Sequence, residues 1–97
     1  MFLILLNYTK PLEEMDRLIP AHRQFLERHY ASGHFLLSGR KDPRTGGVIL
    51  ARAMERSELE AIIVQDPFSV AQAAEYTIIA LVPTMAAEQL AFLIPDA

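Results

Sequence analysis

The chain has 97 residues, 52% of them hydrophobic and 22% charged, a balance that suits one folded domain (1–97) with a modest core. A net charge of −3 argues against a nucleic-acid partner, because phosphate binding needs a concentrated basic face. The absence of cysteine excludes a thiol nucleophile, a disulfide framework and a Cys-based metal site.

The chain opens with MFLILLNY, an apolar run with no basic region before it and no small-residue cleavage site after it. It reads as a strand, Phe2 to Tyr8, and not as a signal peptide. Its Ile and Leu show no alternation, the pattern of a strand covered on both faces. No run is long enough to span a bilayer, so the expectation is a cytoplasmic protein without a membrane partner. Leu12 to Ile19 suits a helical turn or two, with Glu13, Glu14 and Asp16 near its start. Pro20 fits a first helical turn better than a helix interior. The main helix is therefore expected from about Pro20 to Ala31, with a kink or restart at Pro20 and a left-handed stop at Gly33. His34 to Ser38 reads as the second strand, Arg40 to Gly47 as a charged turn, and Val48 to Met54 as its hairpin partner. Ser57-Glu-Leu-Glu60 has the form of a capping box, which predicts a second helix from Ser57 to about Gln65. Asp66-Pro67-Phe68 breaks that helix. Glu75 to Val82 reads as a fourth strand closed by Pro83, and the tail 84–97 has the composition of a short final helix.

The order strand, helix, strand, strand, helix, strand is that of a ferredoxin-like βαββαβ fold. It predicts an α+β domain with a four-stranded antiparallel sheet and both helices on one face. Apolar first and fourth strands on the uncovered face lead us to expect a homodimer, or a higher homo-oligomer, formed by face-to-face sheet pairing.

Chemistry concentrates in PAHRQFLERHYASGHFLLSG, Pro20 to Gly39, which holds all three histidines. Leu18, His22, Phe25, Leu26 and His29 follow helical spacing and should face the sheet, with Arg23, Gln24, Glu27 and Arg28 on the other side. Two readings fit His22: a core histidine satisfied by hydrogen bonds, and a general acid or base. His29 reads as a solvent-edge or packing residue at the helix end, and His34 carries little information alone. Two histidines seven positions apart lie about 10 Å apart along a helix, too far to share a metal easily. No metal is expected. Asp66 is the best acidic candidate. It is either a turn-forming Asp-Pro or a carboxylate that orients a histidine ring. Ser38-Gly39 is either a plain turn start or a hydroxyl and an open backbone beside a ligand, and Arg40, Lys41, Arg44 and Arg52 could form a positive mouth, although Lys41 and Arg44 read first as a solvated charged hairpin.

The helix phrase PAHRQFLERHYASG, with eleven positions from His22 to Gly33 and six more to Gly39, resembles the histidine helix of the YciI-like (YCII-related) family. Ser38-Gly39, the Gly46-Gly47 hairpin and Asp66-Pro67-Phe68 follow in the same order, and the likeness covers most of residues 1–83. The resemblance implies a dimeric α+β barrel and a pocket in which His22 and Asp66 face each other, with Ser38 close by. Proton transfer by one His/Asp pair needs no redox centre, so no cofactor is expected. Some relatives resemble lyases acting on hydroxylated or halogenated rings, and the wider group includes isomerases and monooxygenases. Pro20 and the long tail after Pro83 are less typical of the family. On this reading the expected catalytic pair is His22 and Asp66. The residues expected to contact a small-molecule substrate are Ser38, Gly39, Arg40, Arg52 and Phe68. A non-catalytic dimeric ligand-binding or accessory module is the alternative.

Overall fold

A computed structural model describes residues 1–95. Four strands, β1 (Phe2–Tyr8), β2 (Phe35–Arg40), β3 (Gly46–Ala51) and β4 (Ala74–Ala80), form one sheet in the order β2-β3-β1-β4 with every neighbour antiparallel. Helix α1 (Leu12–Ala31) joins β1 to β2, while α2 (Arg56–Ile63) and the short α3 (Pro67–Val70) join β3 to β4. This is the expected ferredoxin-like α+β arrangement.

Register sorts the side chains. Phe2, Ile4 and Leu6 of β1 turn inward with Ile49 and Ala51 of β3 and pack with Met15, Phe25, Leu59, Ile62 and Phe68. Burying such a side chain contributes about 1.5–3 kcal/mol, so this layer supplies most of the drive to fold. Leu3, Leu5, Leu50, Leu37 and Ile79 point to the opposite face, where Leu37 is 54% and Ile79 43% exposed. The unalternating sequence of β1 thus reflects an apolar residue on each face, with only one face covered by this chain.

Several boundaries differ from expectation. Helix α1 is continuous through Pro20 instead of restarting there. Proline inside a helix costs about 3 kcal/mol. Core residues on both sides of it, Met15 before and Phe25 and His29 after, hold the two halves on one axis. The expected end is observed: Gly33 adopts φ +84° and the His34 amide bonds the His29 carbonyl at 2.9 Å. Strands β2 and β3 run further into the Gly46-Gly47 turn, because Gly46 lets β3 close on β1. A Cβ there would lie 1.8 Å from the Leu6 carbonyl oxygen. β3 stops at Ala51, not Met54, since its partner β1 begins at Phe2 opposite Ala51. β4 ends at Ala80 for the same reason, with Leu81 and Met1 exchanging the last two bonds at 2.9 Å.

The capping box does not form. Helix α2 begins at Arg56, and no side chain bonds its first amides. Glu60, which would reach back in a capping box, instead pairs with Arg56 Nε at 3.2 Å. The tail forms a 3₁₀ segment, Glu88–Leu93, and residues 96 and 97 of the expected tail helix lie outside the described residues. Among the described residues no helix is long and apolar enough to cross a membrane.

Candidate functional site

The Asp66-Pro67-Phe68 stretch nucleates α3. Pro67 occupies its first turn, and the Phe68 amide donates to Asp66 Oδ1 at 3.0 Å, so Asp66 is the cap. This fixes the carboxylate in the core, where it is 0% exposed. His22 Nδ1 donates to Asp66 Oδ1 at 2.7 Å, and the Tyr76 hydroxyl donates to Oδ2 at 2.6 Å. Three donors on one buried carboxylate satisfy the group that would otherwise be the most expensive to bury. Burial first, then the charge of Asp66 and its hydrogen bond, push the Tyr76 phenol far above its ordinary range. Tyr76 therefore stays a donor across ordinary pH.

The carboxylate also selects the histidine tautomer. It is an acceptor only, so the shared proton sits on Nδ1, and Nε2 on the other ring edge is left as a base. The His22 ring lies flat on Phe68, with centroids 4.0 Å apart and planes 8° apart, and keeps 12% of its side-chain surface exposed. Tyr8 meets Phe68 edge-on at 5.7 Å. The histidine is thus clamped on one face and tied at one nitrogen.

His22 and Phe68 line a cavity of about 620 Å³ between α1 and the sheet, within the range of small-molecule sites. Its walls are apolar at Leu6, Ile19, Leu26 and Ile49, and polar or charged at Asp16, Arg23, Ser38, Arg40 and Arg44. Ser38, Gly39 and Arg40 are therefore brought to the same cavity as His22. The Ser38 hydroxyl shares a 2.6 Å hydrogen bond with the Tyr30 hydroxyl. Arg52 is not brought there. It lies just past the end of β3 and lines a separate cavity, where its guanidinium sits 5.5 Å from the Phe92 ring. Lys41 bonds the Asn7 side chain and does not line the His22 cavity. Arg44 does line it, paired with Asp16 at 2.6 Å and over the Tyr8 ring at 5.9 Å.

His29 is buried, not at the solvent edge. Its Nδ1 is 3.1 Å from His34 Nδ1, which is itself 2.7 Å from the Ser32 hydroxyl. Burial, followed by the neighbouring His34, lowers the His29 pKa below its ordinary value. Among the described residues no group of three or more His, Cys, Asp or Glu side chains could hold a metal ion.

Two residues of the site are not marked by the sequence pattern. Helical spacing puts Arg23 on the outer face of α1, yet it lines the cavity. In the sequence Tyr76 is simply one residue of the fourth strand. Its position two residues before Ile78 places it on the covered face, where a tyrosine hydroxyl needs a partner.

The sequence model of the YCII-related domain matches residues 1–82. No curated protein matches the chain significantly. Among solved structures, the chain is similar to 5-chloro-2-hydroxyhydroquinone dehydrochlorinase from Burkholderia phenoliruptrix AC1100, determined in complex with 2,5-dihydroxybenzoquinone. The TM-score is 0.68 at 19% sequence identity, over 84% of this chain and 93% of that one. At that identity the likeness shows the fold.

Proposed function

This chain belongs to the YCII-related domain family, and we propose that it is a small lyase or isomerase that moves a proton on a small ring substrate, with His22 as the acid–base group. The observation that carries this reading is the His22–Asp66 contact at 2.7 Å at the edge of a ligand-sized cavity. Nε2 of His22 takes a proton from the substrate, and the electron pair released moves into the ring. A leaving group then departs with its own pair, or the proton is returned at another atom. Asp66 holds the ring and offsets the imidazolium charge that forms. Tyr76 fixes Asp66 in turn. Ser38, Gly39, Arg40 and Phe68 are proposed to contact the substrate. The dehydrochlorinase name of the structural neighbour supports an elimination on a hydroxylated, halogenated ring as the first chemistry to try. None of these steps needs a redox centre. The half-exposed aliphatic face with Leu37 and Ile79 supports a homodimer paired through its sheets.

The test is a panel of hydroxylated and chlorinated ring compounds, followed by chromatography and by deuterium uptake from solvent. Turnover of a panel member that disappears in His22→Ala, with the fold intact, is the expected result. Turnover that survives in His22→Ala overturns it. One observation favours a second reading, a non-catalytic ligand-binding or accessory module. Asp66 caps α3 and His22 stacks on Phe68, so both also hold the fold together. That module would bind ring compounds and convert none.

A further inference from the structure

The cavity is electrically lopsided, and the sheet register explains how. Arg40, Gly47, Leu6 and Tyr76 lie side by side in one row across β2, β3, β1 and β4, on the face that α1 covers. Tyr76 at one end of the row holds Asp66. Arg40 stands at the other end, about 14 Å away at ordinary strand spacing. Gly47 between them contributes no side chain, which leaves the cavity floor open.

Helix α1 adds the second half of the pattern. Asp16, Ile19, Pro20, Arg23 and Leu26 recur at helical spacing and all line the cavity. Asp16 is already paired with Arg44 at 2.6 Å. Among the described residues Arg23 and Arg40 are in no ion pair. The lining thus carries two guanidiniums without a carboxylate, while the carboxylate Asp66 is buried beside His22, at the end of the row away from Arg40. This local excess of positive charge sits on a chain whose net charge is −3. Low-dielectric walls of Leu6, Ile19 and Ile49 strengthen such a field inside a cleft.

From this juxtaposition we propose that the cavity selects an anionic ring compound, a carboxylate or phenolate, whose charged group is held by Arg23 and Arg40 while the ring reaches His22. The proposal rests on the reading of this cavity as the substrate site. Guanidinium forks suit a carboxylate, which can accept two parallel bonds. Asp66 repels the anion from the far end, so both ends favour one orientation. A neutral analogue of the same shape loses both effects.

The experiment compares 2-hydroxybenzoate with 2-hydroxybenzamide by calorimetry at low ionic strength, on wild-type protein and on Arg23→Gln/Arg40→Gln. The expected result is at least tenfold tighter binding of the anion by wild type, reduced below threefold in the double variant and weakened by added salt. Arg52→Gln, in the separate cavity, should keep the full preference. Equal affinities for the two probes in wild type, no binding of the anion, or a preference that persists in the double variant would each overturn the proposal. The wild-type comparison decides even where the double variant folds poorly. Binding is read without turnover. A missing charge preference therefore leaves the chemistry of His22 standing. Turnover retained in His22→Ala, with the preference intact, sinks the catalytic reading alone.

Discussion

Asp66→Asn removes one charge and almost no volume, which makes it the sharpest perturbation of the site. The carboxylate accepts from His22, from the Phe68 amide and from Tyr76, at 2.7, 3.0 and 2.6 Å. An asparagine can keep its oxygen toward His22 and Phe68, with its amide donating to the Tyr76 oxygen. The fold then survives, with three charge-assisted bonds turned into neutral ones. That change costs about 1–3 kcal/mol, since charge-assisted bonds are worth about twice neutral ones and the relief of burying a charge offsets part of the loss. A domain of this size loses about 4–8 °C in melting midpoint per kcal/mol, so the variant remains folded and measurable. The catalytic loss is larger. When His22 takes the substrate proton, the imidazolium loses a partner charge worth about 4 kcal/mol at an effective dielectric of 20. With each ~1.4 kcal/mol equal to tenfold, kcat should fall about 10²- to 10³-fold with KM little changed. Single-turnover kinetics on a substrate found by the panel would read this directly, with circular dichroism confirming the fold. A variant that stays folded and retains kcat within threefold would refute the role of Asp66.

Other outcomes follow from neighbouring groups. Tyr76→Phe strips one donor from a buried carboxylate and should lower stability by about 1.5–3 kcal/mol in urea unfolding; an unchanged midpoint would contradict the bond. The raised phenol pKa also sets an alkaline limit. Its stabilising effect is full below pH ~10, where an unfolded tyrosine begins to ionise, and is lost as pH rises beyond it, so the wild type should weaken there more steeply than Tyr76→Phe. His29 shifts the other way. Its depressed folded pKa means the unfolded chain binds more protons, so stability is full above pH ~6.5 and declines as pH falls below it. Urea midpoints at pH 7.5 and 5.5 should therefore differ less in His29→Gln than in wild type.

The parts of the structure legible in the sequence are those set by local chemistry. The order of the four strands and the two longer helices, the Gly33 stop and the helix break at Asp66-Pro67 follow from residue types next to one another, whereas the short α3 that Asp66 caps is not expected from them. His22 stands out because a titratable ring interrupts an apolar helical stripe, but only the family resemblance pairs it with Asp66. What escaped depends on contacts between distant segments. Pro20 looks like a break until Met15 and Phe25 are seen packing on either side of it. Ser57 looks like a cap until Glu60 is taken by Arg56. Arg52 and Arg40 look equivalent in sequence. The strand register puts Arg40 in the row that ends at Tyr76, whereas Arg52 falls beyond the end of β3. Tyr76 could have been found from alternation in β4, but its partner Asp66 lies ten positions away.

The proposed chemistry of His22 depends on which of its ring nitrogens carries the proton. ¹⁵N NMR of the histidine rings, recorded for neutral His22 with and without 2-hydroxybenzoate, reads this directly. The prediction is a protonated Nδ1 bonded to Asp66, and a bare Nε2 whose signal moves when the ligand enters the cavity. A ring protonated at Nε2, or an Nε2 signal that ignores the bound ligand, would contradict it.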